Sequence, residues 1–286
     1  MESWLAGNES AVRLGVFLSI LIVMMTWELA VPRRRLSQTR RDRWTVNLSL
    51  VVINSAALRL IFSILAVGTA EVAHANGWGL LNVIALPGWL AVPLCVIALD
   101  CVIYGQHVVF HAVSPLWRLH MMHHSDLDFD ATTGVRFHPI EIIISIGIKM
   151  AAVVAIGAPP VAVILFEILL NGTSVFNHGN VRMPKGIDRF LRLFIVTPDM
   201  HRVHHSTRRS ETNRNFGFNF PWWDRLFDTY VPQPTEDHAR MVIGLSQFRE
   251  ASRLRLHQLI LMPLIGDPGT YPIATRRESP GRSTKP

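Results

Sequence analysis

The chain contains few cysteines and few charged residues for its length. Among 286 residues there are two cysteines, and 17% of the residues are Asp, Glu, Lys or Arg. Two cysteines, Cys95 and Cys101, exclude a disulfide framework, a four-cysteine zinc site and an iron–sulfur cluster. The low charge, with 49% hydrophobic residues and a mean hydropathy of +0.27, is typical of an integral membrane protein.

Several catalytic and cofactor motifs are also missing. No H-E-x-x-H occurs, so a zinc-protease site would lack its general base. No H-P-G-G occurs, and no flavin or iron–sulfur signature is present, so the chain shows no electron-transfer module of its own. The formal net charge is +7, and the charged residues lie between apolar stretches. This arrangement favours the cytoplasmic face of a membrane over a nucleic-acid partner.

The apolar runs predict an all-α integral membrane helical bundle with about four spanning or hairpin elements. Residues 12–31, 46–68 and 89–113 are each long enough to cross a bilayer. Residues 140–176 are interrupted by GAPP at 157–160, which predicts a helical hairpin that enters and leaves on one side.

Charge between the spans predicts the topology. The loop PRRRLSQTRRDR at 32–43 carries six arginines, whereas the loop at 69–79 carries no Lys or Arg. The positive-inside rule therefore places the first loop in the cytoplasm and the second outside. We expect a membrane region at 1–88, a histidine-rich catalytic domain with a cytoplasmic cap at 89–265, and a disordered basic tail at 266–286.

Histidines are concentrated in one half of the chain. Ten of the thirteen fall between residues 107 and 205. Eight form three groups at helical spacing: His107 and His111; His120, His123 and His124; His201, His204 and His205. Eight imidazoles are too many for one ion of four to six ligands, so we interpret them as the cradle of a two-metal site.

The other histidines have different expectations. His178 follows the predicted hairpin close to the three groups, and we expect it to be a ligand. His138 precedes Pro139 and Glu141, and either ligates metal or orients a ligand. His74, His238 and His257 each stand alone in the sequence, which favours solvated histidines.

The histidine pattern resembles that of the fatty acid hydroxylase/sterol desaturase superfamily of membrane di-iron enzymes. The stretches that carry the resemblance are H-V-V-F-H at 107–111, L-W-R-L-H-M-M-H-H at 116–124, R-F-H-P-I-E at 136–141, N-H-G-N at 177–180, T-P-D-M-H-R-V-H-H-S at 197–206, N-F-G-F at 215–218 and W-D-R-L-F-D-T-Y at 223–230. The resemblance implies that the three groups ligate iron on the cytoplasmic side of a multi-pass membrane protein. Val108 is a departure, since family members often carry Arg there.

Residues that orient the ligands follow from general metal-site chemistry. A ligating imidazole usually donates its second N–H to a carboxylate, a carbonyl or water. The candidates for this catalytic role are Asp100, Glu141 and Asn177. Asp199 is a fourth candidate, but its position ahead of His201 favours the role of a helix N-cap. Another group, Trp222, Trp223, Arg225 and Tyr230, either lines a lipid entrance or forms an interfacial belt.

We expect an O2-dependent di-iron enzyme that hydroxylates or desaturates a lipid, such as a sterol, a fatty acyl chain or a carotenoid-like molecule. Its cofactors would be two iron ions, with O2 as co-substrate. Electrons would come from a separate protein, a ferredoxin or a cytochrome b5-like protein with its reductase. The alternatives are a non-catalytic membrane metal-binding or sensor protein and a metal-dependent membrane hydrolase; bound metal distinguishes them.

Overall fold

The computed structural model describes Trp4, residues 7–84 and residues 86–274. Within these residues the chain is helical and contains no β-strand beyond two isolated bridges. The helices are α1 (Glu9–Ala30), α2 (Arg40–Ile61), α3 (Ala66–Ala75), α4 (Leu80–Val83), α5 (Gly88–Ala112), α6 (Ser114–His124), α7 (Pro139–Ile156), α8 (Pro160–Asn177), α9 (Lys185–Leu191), α10 (Pro198–His204), α11 (Arg209–Thr212), α12 (Trp222–Leu226) and α13 (Leu256–Ile265). Short 3-10 turns cover Ala131–Val135 and Ala251–Leu254.

Five of these helices are long and apolar enough to cross a membrane. Helices α1, α2 and α5 correspond to the three predicted spans, and α7 and α8 form the two arms of the predicted hairpin. The hairpin turns at Gly157, which has a left-handed conformation with φ of 70° and closes α7. The predicted all-α membrane bundle is therefore confirmed.

The end of the bundle that holds residues 62–79 differs from the prediction. The second span ends at Ile61 rather than at 68, and the predicted loop at 69–79 is largely the helix α3. Its alanines favour helix and bury their small side chains, with Ala66 and Ala70 fully covered. Gly79 then approaches the hairpin turn so closely that a Cβ atom would lie 2.2 Å from the amide nitrogen of Gly157.

The middle of the bundle has an apolar core with one buried ion-pair network. Leu99 and Ile103 of α5 pack with Val163 and Phe166 of α8. Glu167 accepts from Lys149 at 2.7 Å and pairs with Arg13 at 2.8 Å. These pairs neutralise charges that would be costly in an apolar bundle, so they stabilise the packing of α1, α7 and α8.

The arginine-rich segment between α1 and α2 packs against the half of the molecule that carries the histidines. Arg33 pairs with Asp199 at 3.1 Å, and buried Arg43 pairs with Asp126 at 2.8 Å and with Asp130. The arginines and the histidine groups therefore lie on the same side of the bundle.

The first part of the tail predicted at 266–286 is ordered. Residues 266–274 pack on the cap, where the buried ring of Tyr271 stacks on Trp117 at 5.7 Å and its hydroxyl donates to the Thr207 carbonyl. The prediction for 266–274 is therefore wrong. Residues 275–286 lie outside the described residues.

Candidate metal centre

The structure gathers nine of the ten predicted metal ligands into two buried clusters. In each cluster the ligand nitrogens all lie within 4.8 Å of one another. Cluster A consists of His107, His111, His120, His124 and His204, and cluster B consists of His123, His178, His201 and His205.

Helical spacing decides which cluster each histidine joins. The pairs His107/His111 and His120/His124 are four residues apart and enter cluster A from α5 and α6. The pair made by His201 on α10 and His205, the residue that follows it, enters cluster B. The remaining histidine of each three-residue group, His123 or His204, enters the other cluster, because it is adjacent to a member of the pair and neighbouring residues on a helix point about 100° apart.

Six of the nine imidazoles use Nδ1 to donate a hydrogen bond outward from the clusters. Their acceptors are four backbone carbonyls, one carboxylate and one side-chain amide oxygen. The pairs are His107 with Phe216 O at 2.8 Å, His111 with Asn213 Oδ1 at 3.0 Å, His120 with Glu141 Oε1 at 2.6 Å, His123 with Arg136 O at 3.2 Å, His178 with Ser174 O at 2.7 Å and His204 with Arg214 O at 2.8 Å. Because these oxygens only accept, the tautomer that carries hydrogen on Nδ1 is fixed.

The Nε2 atoms consequently face inward as lone pairs. His107 Nε2 lies 3.2 Å from His120 Nε2 and 3.0 Å from His204 Nε2. In cluster B, His178 Nε2 lies 3.1 Å from the Nε2 atoms of both His123 and His201. In the pairs His107–His120, His107–His204 and His178–His123 both rings carry hydrogen on Nδ1, so these contacts place lone pair against lone pair, which is repulsive unless a cation lies between them.

The spacing and the chemistry of the donors fit bound metal ions. Two nitrogens about 2.1 Å from one ion and at right angles to each other are about 3.0 Å apart, as the Nε2 pairs are. Both ring nitrogens of buried His205 have no hydrogen-bond partner among the described residues. Coordination of a metal ion by one of these nitrogens would give the ring a partner. Imidazole is a suitable ligand for iron, copper and zinc.

Burial also keeps the cap imidazoles in the neutral form that ligation needs. It lowers the pKa of His178 to about 3. Burial, with the neighbouring imidazoles, holds the pKa of His123, His124, His201, His204 and His205 well below the usual histidine value. These side chains are uncharged at neutral pH, so no proton competes with a metal.

Of the three residues proposed to orient the ligands, Glu141 contacts a histidine. Asp100 accepts instead from the amides of Asn219 and Phe220 and from the indole of Trp223 at 2.8 Å. The expected direct contact with His107 is wrong, because the loop before α12 inserts against α5 and takes the carboxylate. Asn177 donates to the Phe218 carbonyl rather than to an imidazole.

Three further expectations are corrected. His138 is the N-cap of α7: its Nδ1 accepts from the Ile140 amide and its Nε2 contacts the Ile260 carbonyl, so it belongs to neither cluster. Asp199 is not an N-cap, since Thr197 caps α10 and Asp199 pairs with Arg33. His238 is buried, with 3% exposure, and contacts Gln233.

The loop at 214–217 orients two imidazoles of cluster A. This orienting role was not predicted from the sequence. The Arg214 and Phe216 carbonyls accept from His204 and His107, and Asn215 lies between them with φ of 52°. The Asn215 amide donates to the Met200 and Val231 carbonyls. Asp224 accepts from the Phe216 and Gly217 amides at 2.8 Å. The sequence offered one signal, the asparagine that begins N-F-G, since Asn tolerates left-handed conformations.

Gly134 has a comparable role in cluster B. A Cβ atom there would lie 2.3 Å from the Ser174 carbonyl oxygen, which is the acceptor of the His178 ring, and 3.1 Å from His178 Nδ1. Arg136 follows closely; its guanidinium donates to Met122 O and Ser125 Oγ while its carbonyl accepts from His123. The 3-10 turn Ala131–Val135 is thereby fixed against α6 and α8.

Aromatic rings surround both clusters and exclude water. Phe216 packs on His111 at 5.1 Å, and Phe137 stacks on His123 at 4.6 Å. Phe218 contacts rings of both clusters, with centroids 6.4 Å from His107 and 6.5 Å from His201. It also packs against the apolar core of the bundle, so it lies between the clusters and the membrane interior.

The aromatic residues of the cap edge have separate contacts. The Trp223 indole binds Asp100, while exposed Trp222 donates to the Leu193 carbonyl at 2.8 Å. The Arg225 guanidinium lies over the ring of Tyr230 at 5.0 Å. These contacts join α12 to α5 and to the segment after α9.

The chain is similar to a known family and to several known proteins. Residues 92–229 match the model of the fatty acid hydroxylase family. The ornithine lipid hydroxylase of Rhizobium tropici is 26% identical over 228 residues, which are 77% of this chain and 67% of that protein. The alkylglycerol monooxygenases of Caenorhabditis elegans and Homo sapiens are 24% and 26% identical over 200 and 148 residues, or 68% and 50% of this chain.

The coverage of these relatives is uneven. The chain spans about two thirds of the ornithine lipid hydroxylase but only 38% and 30% of the two alkylglycerol monooxygenases. No solved structure matches the chain. The matched residues 92–229 contain both histidine clusters in full, so the resemblance predicted from the histidine pattern is confirmed.

Proposed function

We propose that this chain, which belongs through residues 92–229 to the fatty acid hydroxylase family, is a membrane-bound, O2-dependent lipid hydroxylase. The observation that carries the proposal is the pair of buried clusters, with nine imidazoles and inward-facing Nε2 atoms. A structural zinc site needs four ligands, and one catalytic zinc needs three. Two adjacent clusters of five and four histidines suit a pair of redox-active ions, which we assign as iron.

A bound iron pair would supply the activation of O2 and the attack on an unactivated C–H bond. The chain supplies the rigid frame: outward Nδ1 hydrogen bonds hold each imidazole, and the aromatic rings keep water away from the clusters. Phe218, in contact with rings of both clusters and with the membrane core, marks the side from which an apolar substrate reaches them.

The relatives narrow the substrate class. Their names give an ornithine lipid and an alkylglycerol as substrates of those proteins. By analogy, we infer that this chain acts on the alkyl or acyl part of a polar lipid that enters from the bilayer. Hydroxylation is favoured over desaturation, because both kinds of relative are named for insertion of oxygen.

We further infer that the active site faces the cytoplasm. The six-arginine segment at 32–43 packs on the histidine side through Arg33 and Arg43, and arginine-rich loops remain in the cytoplasm. Electrons would reach the site from a separate ferredoxin or cytochrome b5-like protein with its reductase. A reporter fused after residue 274 should behave as cytoplasmic; an outward location would overturn the assignment of the face.

The decisive experiment combines metal analysis with product analysis. Purified protein should bind two irons per chain and should hydroxylate a polar lipid only with O2 and a reductase system. His204→Ala should lower bound iron and abolish product, while the exposed control His257→Ala should keep both. Stoichiometric zinc, or product formed without O2, would favour the hydrolase instead, and metal binding without any lipid product would favour the sensor.

A further inference from the structure

Two neighbouring grooves open beside the segment that links α1 to α2, and they meet at Arg40. Their volumes are about 590 and 490 Å³. The larger is lined by Arg40, Arg41, Trp44, Thr45, Leu48, Ser49 and Val52; the smaller is lined by Leu29, Pro32, Arg34, Arg35, Leu36, Gln38, Thr39 and Arg40. Among the described residues, no aspartate or glutamate lines either groove.

The arginines of these grooves have unused hydrogen-bonding capacity. Among the described residues, the guanidinium groups of Arg35, Arg40 and Arg41 make no hydrogen bond and no ion pair. The Nε atoms of Arg34 and Arg40 are buried without a partner. Other arginines of the same segment are paired: Arg33 with Asp199 and Arg43 with Asp126. The unpaired guanidiniums therefore gather where no protein carboxylate reaches, which favours an external anion.

The larger groove changes character along its length. Arg40 and Arg41 begin α2, and Trp44, Leu48 and Val52 follow at four-residue intervals on one face. Val52 is 69% exposed, and its helix is apolar enough to cross the membrane. The positive end of the groove therefore lies at the membrane surface, with a tryptophan below it and an apolar strip that enters the hydrocarbon region.

We propose that this groove binds a glycerophospholipid with an anionic headgroup. The arginines would hold the phosphate and the negative headgroup, and the strip from Trp44 to Val52 would lie along one acyl chain. A soluble phosphate would contact the arginines but not the adjoining apolar strip, and a neutral lipid would leave the arginine charge unpaired. The site is distinct from the histidine clusters and extends the function proposed above.

The groove is connected to cluster B through one loop. The Ser37 and Gln38 amides donate to Asp128 at 2.9 and 2.8 Å. The next residue, Phe129, packs on His178 at 5.4 Å and on His205 at 5.1 Å. A lipid that fixes the arginine segment would therefore also fix the loop that supports the cluster, and we expect it to raise the thermal stability of the cap.

The test is native mass spectrometry of the full-length protein in neutral detergent. The protein is titrated with phosphatidylglycerol or with phosphatidylcholine of the same acyl chains. We expect clear preference for phosphatidylglycerol in the parent protein. In Arg35→Gln/Arg40→Gln/Arg41→Gln the affinity for phosphatidylglycerol should fall about 100-fold, given the usual contribution of each arginine near an anionic lipid. Retained preference in this variant overturns the proposal.

Matched controls separate a built site from general surface charge. Arg208→Gln/Arg240→Gln/Arg253→Gln removes the same charge from exposed ion pairs of the cap, and it should keep the lipid preference. Equal loss in this control overturns the proposal. Ser49→Trp fills the apolar strip without changing charge and should weaken phosphatidylglycerol binding. Competition by inorganic phosphate at the affinity of the lipid would show a soluble-anion site instead. None of these measurements depends on turnover, so they fail or succeed independently of the hydroxylase assignment.

Discussion

Replacement of Glu141 tests how the frame around cluster A controls metal binding. Its carboxylate Oε1 accepts from His120 Nδ1 at 2.6 Å, and both side chains are buried. Glu141 lies in the first turn of α7, which His138 caps and Pro139 begins. The start of α7 therefore positions the Glu141 carboxylate, and this carboxylate in turn orients the imidazole of His120. Glu141→Ala should leave His120 with a buried N–H and no acceptor.

The magnitude follows from the cost of that unsatisfied group. A buried donor left without an acceptor costs about 1–3 kcal/mol, and loss of such an orienting partner weakens metal affinity by about 10–100-fold. Glu141→Gln keeps an acceptor oxygen but loses the negative charge. Because charge-assisted hydrogen bonds are about twice as strong as neutral ones, its loss of affinity should be about 5-fold. Cluster B has no contact with Glu141 and should keep its affinity.

The assay is iron content per chain after dialysis against a graded series of chelator concentrations. The parent protein should keep two irons per chain up to a higher chelator concentration than Glu141→Ala does. Glu141→Ala should lose the iron of cluster A first and show a plateau at one iron per chain. Glu71→Gln removes an exposed carboxylate on α3 and is the matched control. Parent-like iron retention in Glu141→Ala, in protein with parent-like helical content, would refute the reasoning, since the carboxylate would then not orient His120.

Substitutions at three further positions test other parts of the structure. Gly134→Ala places a Cβ atom 2.3 Å from the Ser174 oxygen and should displace the acceptor of His178, so iron should be lost first from cluster B; unchanged iron content would show that the turn moves freely. Asn215→Ala should lower the iron affinity of cluster A by about 10-fold, because the Arg214 and Phe216 carbonyls lose their alignment. Asn215→Gly should retain more iron than Asn215→Ala, since glycine tolerates the left-handed conformation. His138→Ala should keep two irons and should lower the free energy of unfolding by about 1 kcal/mol through loss of the N-cap. Loss of iron with an unchanged free energy of unfolding would instead show that His138 is a metal ligand.

The membrane spans could be predicted from the sequence because each depends on local composition. Long apolar stretches produced α1, α2, α5 and the hairpin, and GAPP located the turn at Gly157. The prediction failed at α3, whose alanines are ambiguous in hydropathy and become helical by packing on the hairpin. It failed again at Tyr271, because burial of an isolated aromatic residue depends on a distant partner, Trp117.

The grouping of the histidines could also be predicted, since spacing on one helix is a local property. The orienting contacts could not. Asp100 lies two turns before His107 on α5, which suggested a direct contact, yet a loop more than a hundred residues later in sequence occupies its carboxylate. Backbone carbonyls accept from four of the six imidazoles that donate through Nδ1, and a carbonyl has no sequence signature. Two side chains also orient imidazoles: Asn213 accepts from His111, and Glu141 accepts from His120. Only Glu141 lies within a stretch singled out in the sequence, R-F-H-P-I-E.

The two clusters are linked by the helices that they share. Adjacent residues of α6, His123 and His124, enter different clusters because neighbouring positions on a helix point about 100° apart. His204, the last residue of α10, and His205 after it divide in the same way, and the His124 and His205 rings stack at 4.6 Å across the boundary. Neither helix can shift without moving imidazoles of both clusters, so the shared helices would fix the separation of two ions held by these residues. A reaction that needs both ions at once requires such a fixed separation, which two independent four- or five-histidine sites would not provide.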